Sequence, residues 1–188
     1  MKRHITPYNT VIVIGILLAG LLGFTLYQLY RQSYTARDRV IVDHVAELHR
    51  ILTQIDGSCE IIAIRRNHSS IDFLQVAKFA GTEIGPLQLR YPEKWHGPYL
   101  EQNPTVQEIP YELVKTRDGF VIAPGTGVML SNGKIMGKDI VLNETTDIDL
   151  YMNEVVGLEF ESRPLVMKLS LAHTVVRPKP SALEMSND

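Results

Sequence analysis

The sequence predicts an α+β protein: one long N-terminal helix, transmembrane and then amphipathic, packed on a small antiparallel sheet. Three observations predict it. Val11 to Tyr27 reads VIVIGILLAGLLGFTLY and holds no charge. Gln32 to Ile55 contains neither proline nor glycine and spaces its apolar residues as a helix does. Beyond Pro110 the chain breaks into short β-rich runs punctuated by Gly, Pro and Asn. A helix with one oily stripe and a sheet with one oily face each need cover, and stacking one on the other supplies it to both.

The apolar run comes first. Its seventeen residues reach roughly 25 Å at about 1.5 Å each, near the lower limit for crossing hydrocarbon, and inclusion of Thr10 and Tyr30 makes the length comfortable. Residues 11–30 are therefore expected to be a transmembrane segment. Tyr8 precedes it, and Tyr27 and Tyr30 close it, which suits the two membrane interfaces. Lys2 and Arg3 lie on one side and Arg31, Arg37 and Arg39 on the other, so positive charge alone does not orient it. The shortness of residues 1–10 favours a cytoplasmic N-terminus. A cleaved signal peptide shares the charged start and apolar middle, but no small-x-small site is followed by a change to polar sequence until after Tyr30. An uncleaved anchor is expected. No polar face interrupts the run, which argues against a buried core helix.

Ile41, Val45, Leu48, Leu52 and Ile55 recur at steps of four, three, four and three, one face of an α-helix. Asp38, Arg39, Asp43, Glu47, His49 and Arg50 are assigned to the other faces. The expectation is one continuous helix from about Tyr8 to Ile55, with Gly57 as its stop. Residues 31–56 are its amphipathic part and belong to a globular domain of residues 31–176. A short second helix is predicted after Ser69, three residues before Asp72 as in a capping box, with Ile71, Leu74 and Ala77 on one face and Gly81 at its end. The turn-rich stretch from Gly85 to Pro104 reads as an ordered loop.

Strands are then predicted at YELVKT, GFVIA, GVMLS and KIMGKDIVL, within residues 111–142. Asn132-Gly133 separates the last two and predicts a type I′ hairpin, the turn that needs positive φ at both central positions. VVGLEF and LVMKLSLAHTVV are two further expected strands, within residues 155–176. Residues 177–188 carry two prolines and few apolar groups, and are expected to be disordered.

With 188 residues the chain has room for one domain plus appendages. A formal charge of -2, with acids and bases mixed, leaves no basic footprint for nucleic acid. Cys59 is the only cysteine, which excludes an intramolecular disulfide and points to a small buried apolar side chain. His44 and His49 are five apart, not the four that sets two ligands side by side on a helix. His4, His68 and the other histidines read as surface or structural groups. No nucleophile elbow or phosphate loop is present, and Pro124-Gly125-Thr126-Gly127 reads as a hairpin turn. Asp147 and Asp149, with Glu144, would present carboxylates on one strand face, but acidic loops are usually just solvated; no metal and no cofactor is expected. No catalytic constellation emerges, and the chain is not expected to be an enzyme. Trp95 and Tyr99 are expected to bury their rings and pin their loop, with Gly97 permitting a turn and Pro98 fixing φ.

Three of these segments carry a family resemblance. VIVIGILLAG, from Val11 to Gly20, resembles the hydrophobic run of type IV pilins and type II secretion pseudopilins. TARDRVIVDHVAELHRIL, from Thr35 to Leu52, looks like the helix of the major pseudopilin. Trp95-His96-Gly97-Pro98-Tyr99-Leu100 is similar to the Trp-x-Gly-Pro-Tyr-Leu signature of that subunit, with His96 at the free position. The resemblance covers about Tyr8 to Leu100. It departs where the family has its Gly-Phe-Thr-Leu-x-Glu cleavage and methylation motif. Here that place reads His4-Ile5-Thr6-Pro7-Tyr8-Asn9: Thr6 alone agrees, and Asn9 stands where the glutamate would be. Gly23-Phe24-Thr25-Leu26-Tyr27-Gln28 nearly spells the motif, but cleavage there would discard the anchor. The later Asp-Pro-Trp-Gly segment and the calcium loop of the family have no counterpart.

The resemblance implies a pilin-like fold and a single-pass protein of a bacterial inner membrane, its N-terminus cytoplasmic and its globular domain periplasmic. It implies a structural role: helix-to-helix assembly with other pseudopilin-like or secretion-machine subunits, or with copies of itself. Gly15, Ala19, Gly20 and Gly23 are the expected assembly interface, because small-xxx-small spacing lets helices approach closely. Trp95, Gly97, Pro98, Tyr99 and Leu100 are the expected structural signature loop. The alternative is a membrane-tethered periplasmic binding or scaffold module that forms no filament, which the missing motif favours.

Overall fold

One helix, α1, runs unbroken from Pro7 to Cys59, 53 residues and roughly 80 Å at helical rise. The computed structural model describes residues 7–152 and 157–172; within α1 it describes the side chains of residues 11–29 and 36–59. The interface roles expected of Tyr8 and Tyr30, the strand positions 155–156 and 173–176, and the tail 177–188 lie outside what is described. Val11–Leu29 is long and apolar enough to cross a membrane, and none of it is buried against the rest of the chain. That fits a single-pass membrane anchor.

The second part of α1 lies in the core. Ile41, Val45, Leu48, Leu52 and Ile55 are all fully buried, joined on their flanks by Val42, Ile51 and Cys59. The helix passes through Gly57, contrary to its expected role as the stop. It ends instead at Glu60, which adopts a left-handed φ of 52° and donates its N–H to the Asp56 carbonyl at 3.0 Å. The Asp56 carboxylate takes the next amide, Ile61 N at 2.9 Å, and also Ala172 N at 2.8 Å. One buried carboxylate thus caps the helix and ties the last described strand region to it.

Asp38 is a second correction. Assigned to a solvent face, it is 2% exposed. Three residues before Ile41, it continues the buried seam with a charge. The Ser131 N–H donates to its carboxylate at 3.1 Å, and the Ser131 hydroxyl donates to the other oxygen. Asp38→Ala would remove a buried carboxylate and both hydrogen bonds it accepts from the exposed Ser131, and hydrogen bonds to a charged group contribute about 1.5–3 kcal/mol. The variant should lose about 2–3 kcal/mol in urea unfolding, whereas Asp43→Ala, at an exposed ion pair, should lose under about 1.

Among the described residues, ten short strands complete the fold. β1 (Ile61–Ile64), β4 (Leu87–Leu89) and β3 (Glu83–Ile84) form an antiparallel sheet in the order β1-β4-β3. The stretch expected to be a loop from Gly85 therefore begins as half of a hairpin. β2 (His68–Ser70), β6 (Ile109–Thr116), β7 (Gly119–Pro124) and β10 (Met167–Leu169) form the main sheet in the order β10-β7-β6-β2, with β5 (Thr105–Val106) also on β6. β6 and β7 pair from Tyr111↔Pro124 to Thr116↔Gly119, as expected for the first hairpin. β8 (Glu159–Phe160) and β9 (Arg163–Pro164) make a separate hairpin. α1 packs on β7 and β10 and touches β5 and β8, so the fold is α+β.

Two local expectations fail. The helix predicted after Ser69 shrinks to a 3-10 turn, Asp72–Gln75. Ser69 cannot cap it, because it sits in β2 opposite Leu113. Val76 is then extended, with ψ 120°. The Asn132-Gly133 turn is not type I′. Only Gly133, at φ 80°, has positive φ, which fits a type I turn closed by a left-handed glycine. Ser131 is drawn onto Asp38, and the Asn132 amide donates to the Gly157 carbonyl at 3.1 Å, so tertiary contacts settle the turn. The flanking segments make one isolated bridge, Met129↔Ile135, rather than full strands. Paired positive φ values occur instead at Gln107 and Glu108 (54° and 65°) and at Glu161 and Ser162 (50° and 60°).

Candidate functional site

The two regions singled out by sequence lie far apart along α1. In the apolar segment, a Cβ added at Gly15, Gly20 or Gly23 would meet nothing within 4 Å. At roughly 100° per residue, Gly15, Ala19 and Gly23 fall within an arc of roughly 80°, while Gly20 is turned roughly 140° from Gly15. The first three share a face; Gly20 does not. Around them Leu17, Leu18, Leu21, Leu22 and Phe24 are each exposed by more than 60%. Such a surface suits lipid tails or other apolar helices.

The aromatic loop sits near the far end of α1. Pro92–Lys94 forms a 3-10 turn that touches α1, and Tyr91 N donates to the Cys59 carbonyl at 2.9 Å. Trp95 is buried, its indole N–H donating to the Val76 carbonyl at 2.9 Å. Its ring meets Phe79 and Tyr99 edge to face, with centroids 5.6 and 4.8 Å away. Tyr99 N and Leu100 N share the Leu74 carbonyl at 2.8 and 3.2 Å. The loop is thus sewn to the Asp72–Gln75 turn. The Gly97-Pro98 peptide is cis. Gly97 has no positive φ; its need for glycine is space, since a Cβ would lie 2.3 Å from the Val76 carbonyl oxygen and 2.4 Å from the Trp95 indole nitrogen. Burial pushes the Tyr99 phenol above its ordinary pKa, opposed by the amide of His96. His96 and Pro98 are exposed, and Trp95 is not. Trp95, Tyr99 and Leu100 pack on the molecule itself, with Gly97 fitted against Trp95 and Pro98 exposed beside them.

Among the described residues, the histidines do not converge. His44 Nδ1 lies 3.1 Å from the Tyr111 hydroxyl and edge-on to its ring, joining α1 to β6. Tyr111 is fully buried, and loss of solvation pushes its phenol pKa upward. A phenol whose folded pKa exceeds its unfolded value of about 10 contributes stability that is complete below pH 10 and drains away as pH rises through the folded value. Tyr111→Phe should therefore lose less stability than the parent between about pH 9.5 and 11.5, measured as urea midpoints at the two pH values. Equal losses would remove Tyr111 from the account.

His68, read from the sequence as a surface or structural group, has Nδ1 3.6 Å from Glu112 Oε2. The pair stands at the rim of a small cleft of about 230 Å³, walled by Val114, Ala123, Met136, Ile140 and Leu142.

The acidic residues are arranged otherwise than expected. Asp147 and Asp149 are not on a strand. Asp147 precedes a short helix, α2 (Ile148–Met152), and accepts the N–H groups of Asp149 and Leu150 at 3.1 and 3.3 Å. Glu144 is engaged elsewhere, with Lys115 at 3.0 Å. The β6–β7 turn instead brings in Asp118, which no local pattern had linked to them; the carboxylates of Asp118, Asp147 and Asp149 lie within 4.8 Å of one another. Cations already serve this cluster. Lys168 Nζ is 2.7 Å from Asp149 and 3.8 Å from Asp118, and Arg117 is 3.5 Å from Asp147. The hydrogen bond to Asp149 raises the Lys168 pKa, and the group reads as an internal charge network.

Compared with protein-family models, with curated proteins and with solved structures, the chain matches none.

Proposed function

We propose that this chain is a divergent pseudopilin-like structural subunit of a type II secretion or type IV pilus-like machine, anchored in a bacterial inner membrane by Val11–Leu29 with its globular domain in the periplasm. One observation carries the reading. A single uninterrupted helix is bare and apolar over its first part and packed along one face on a β-rich domain over its second. A rigid rod with an uncovered oily half is suited to lateral association with other helices in a membrane. The packed Trp95 to Leu100 loop supports the reading more weakly, because a scaffold loop of this kind stabilises a domain whatever its role.

Gly15, Ala19 and Gly23 would be the line of closest approach to neighbouring subunits, and Gly20 would lie off that line. Single cysteines at positions 15 to 23, oxidised in native membranes, test this. Filament-like assembly predicts a ladder of crosslinked species, strongest at 15, 19 and 23. A single dimer band, or none, favours the second reading: a tethered periplasmic binding or scaffold module. That alternative is favoured by Asn9, which stands where an assembly glutamate would be. Mass spectrometry of the mature N-terminus separates the two further. A new start near Ile5 or Thr6 supports maturation as a pilin, and an intact Met1 opposes it.

A further inference from the structure

The face of the main sheet turned away from α1 carries a carboxylate to which the fold gives no hydrogen bond. Side chains alternate along β6. Tyr111 and Leu113 are fully buried on the α1 side, where Tyr111 meets His44. Glu112 and Val114 point the other way, as do their cross-strand partners Ala123 and Val121 and His68, which lies opposite Val114. Met136, Ile140 and Leu142, all buried, approach this face from the segment that follows β7. A cleft of about 230 Å³ remains between them and the sheet. Glu112 is one of its lining residues, and its side chain is 28% exposed.

A carboxylate has room for about four hydrogen bonds. Among the described residues none donates one to Glu112. His68 Nδ1, at 3.6 Å, is beyond hydrogen-bond range, and it brings a charge only when protonated. Glu112 and His68 are the only ionisable groups among the described residues that line the cleft. Charge and shape together then select a ligand. An anion is repelled. A hard metal ion needs several oxygen ligands, and one carboxylate among apolar walls does not supply them. An ammonium on a flexible apolar stem suits both parts of the cleft. Its stem lies along Val114, Ala123, Met136 and Ile140 while its head reaches Glu112, and the apolar surroundings lower the local dielectric and strengthen that attraction. An apolar cavity of about 150 Å³ accepts benzene, so there is space here for a stem of about four carbons and its ammonium.

We propose that the cleft between β6 and the Met136–Leu142 segment binds a primary ammonium carried on an apolar stem, with Glu112 as its counter-ion. A free alkylamine and a lysine side chain presented by another chain share this chemistry. The site belongs to the domain and is independent of the membrane anchor.

Full-length protein in lipid nanodiscs, titrated with Nα-acetyl-lysine methylamide and followed by amide NMR shifts, tests it. The amides of Val114, Ala123 and Ile140 should shift saturably, with half-saturation in the millimolar range for so small a ligand. Nα-acetyl-norleucine methylamide, which keeps the stem and lacks the ammonium, should bind at least about tenfold more weakly. Glu112→Gln should lose at least about tenfold in affinity for the lysine derivative while its spectrum away from the cleft stays that of the parent. His68→Gln should bind at least as tightly as the parent, because it removes a competing cation. n-Butylamine identifies the source: affinity equal to or above that of the lysine derivative assigns the site to a free amine, and lower affinity assigns it to a presented lysine. No saturable shift at these amides, equal binding of the norleucine compound, or unimpaired binding by Glu112→Gln overturns the site, and a loss in His68→Gln overturns Glu112 as the counter-ion.

Discussion

Arginines at Leu17 and Leu21 together should release the chain from membranes. Both leucines are more than 60% exposed in the bare half of α1, near the middle of Val11–Leu29. At the centre of a span a leucine favours insertion by about 0.3–0.6 kcal/mol and an arginine opposes it by about 2.5–3.5. Each replacement thus costs about 3–4 kcal/mol, and the pair about 6–8. That is a shift of more than about four orders of magnitude in partitioning. The variant should leave the carbonate-washed membrane pellet, while Leu150→Arg, at an exposed leucine of the domain, should stay in it. The domain should fold in both, since no residue of Val11–Leu29 is buried against it. Retention of the double variant would mean that the domain, and not the span, holds the chain to the membrane.

The same division explains what was legible in the sequence. The seam of α1 was readable because a repeat of about 3.6 residues depends only on the order of neighbours. Asp38 was not, since a carboxylate argues for solvent unless its partner is known, and Ser131 lies 93 residues away. The β6–β7 hairpin was readable from two strand runs of ordinary length. β1, β3 and β4 have two to four residues each, too few for alternation to show. Ser69 illustrates a conflict between levels: its spacing to Asp72 is that of a helix start, but pairing with β6 claims its backbone first. At the acidic cluster, Asp147 and Asp149 were visible as neighbours, whereas Asp118 joins them only through the fold. The burial of Trp95 was foreseeable from an aromatic residue in a Pro- and Gly-rich loop. What fills the space beside it was not, and for that reason Gly97 was assigned a backbone role when its role is steric.

Gly97→Ala should damage the domain severely for a single added methyl. Its Cβ would intrude on both ends of the hydrogen bond from the Trp95 indole to the Val76 carbonyl, at 2.4 and 2.3 Å. One of those atoms is backbone and the other belongs to a ring wedged between Phe79 and Tyr99, so neither yields cheaply. Overpacking costs about 1–3 kcal/mol, and separating a buried donor from its acceptor about 1–3 more. A total of about 3–5 kcal/mol is a large share of the 5–15 that holds a typical domain. Trp95→Phe should lose about 1–3, because it removes the N–H but keeps a ring in the slot. Gly57→Ala is the counterpart: the same methyl in open space on a helix, expected to add up to about 1 kcal/mol. Denaturant unfolding in detergent, followed by Trp95 fluorescence for the two glycine variants and by circular dichroism for Trp95→Phe, measures all three. A Gly97→Ala midpoint equal to the parent would show that the loop can open without loss, as a recognition loop must. The expected drop means that the aromatic loop serves the domain it closes.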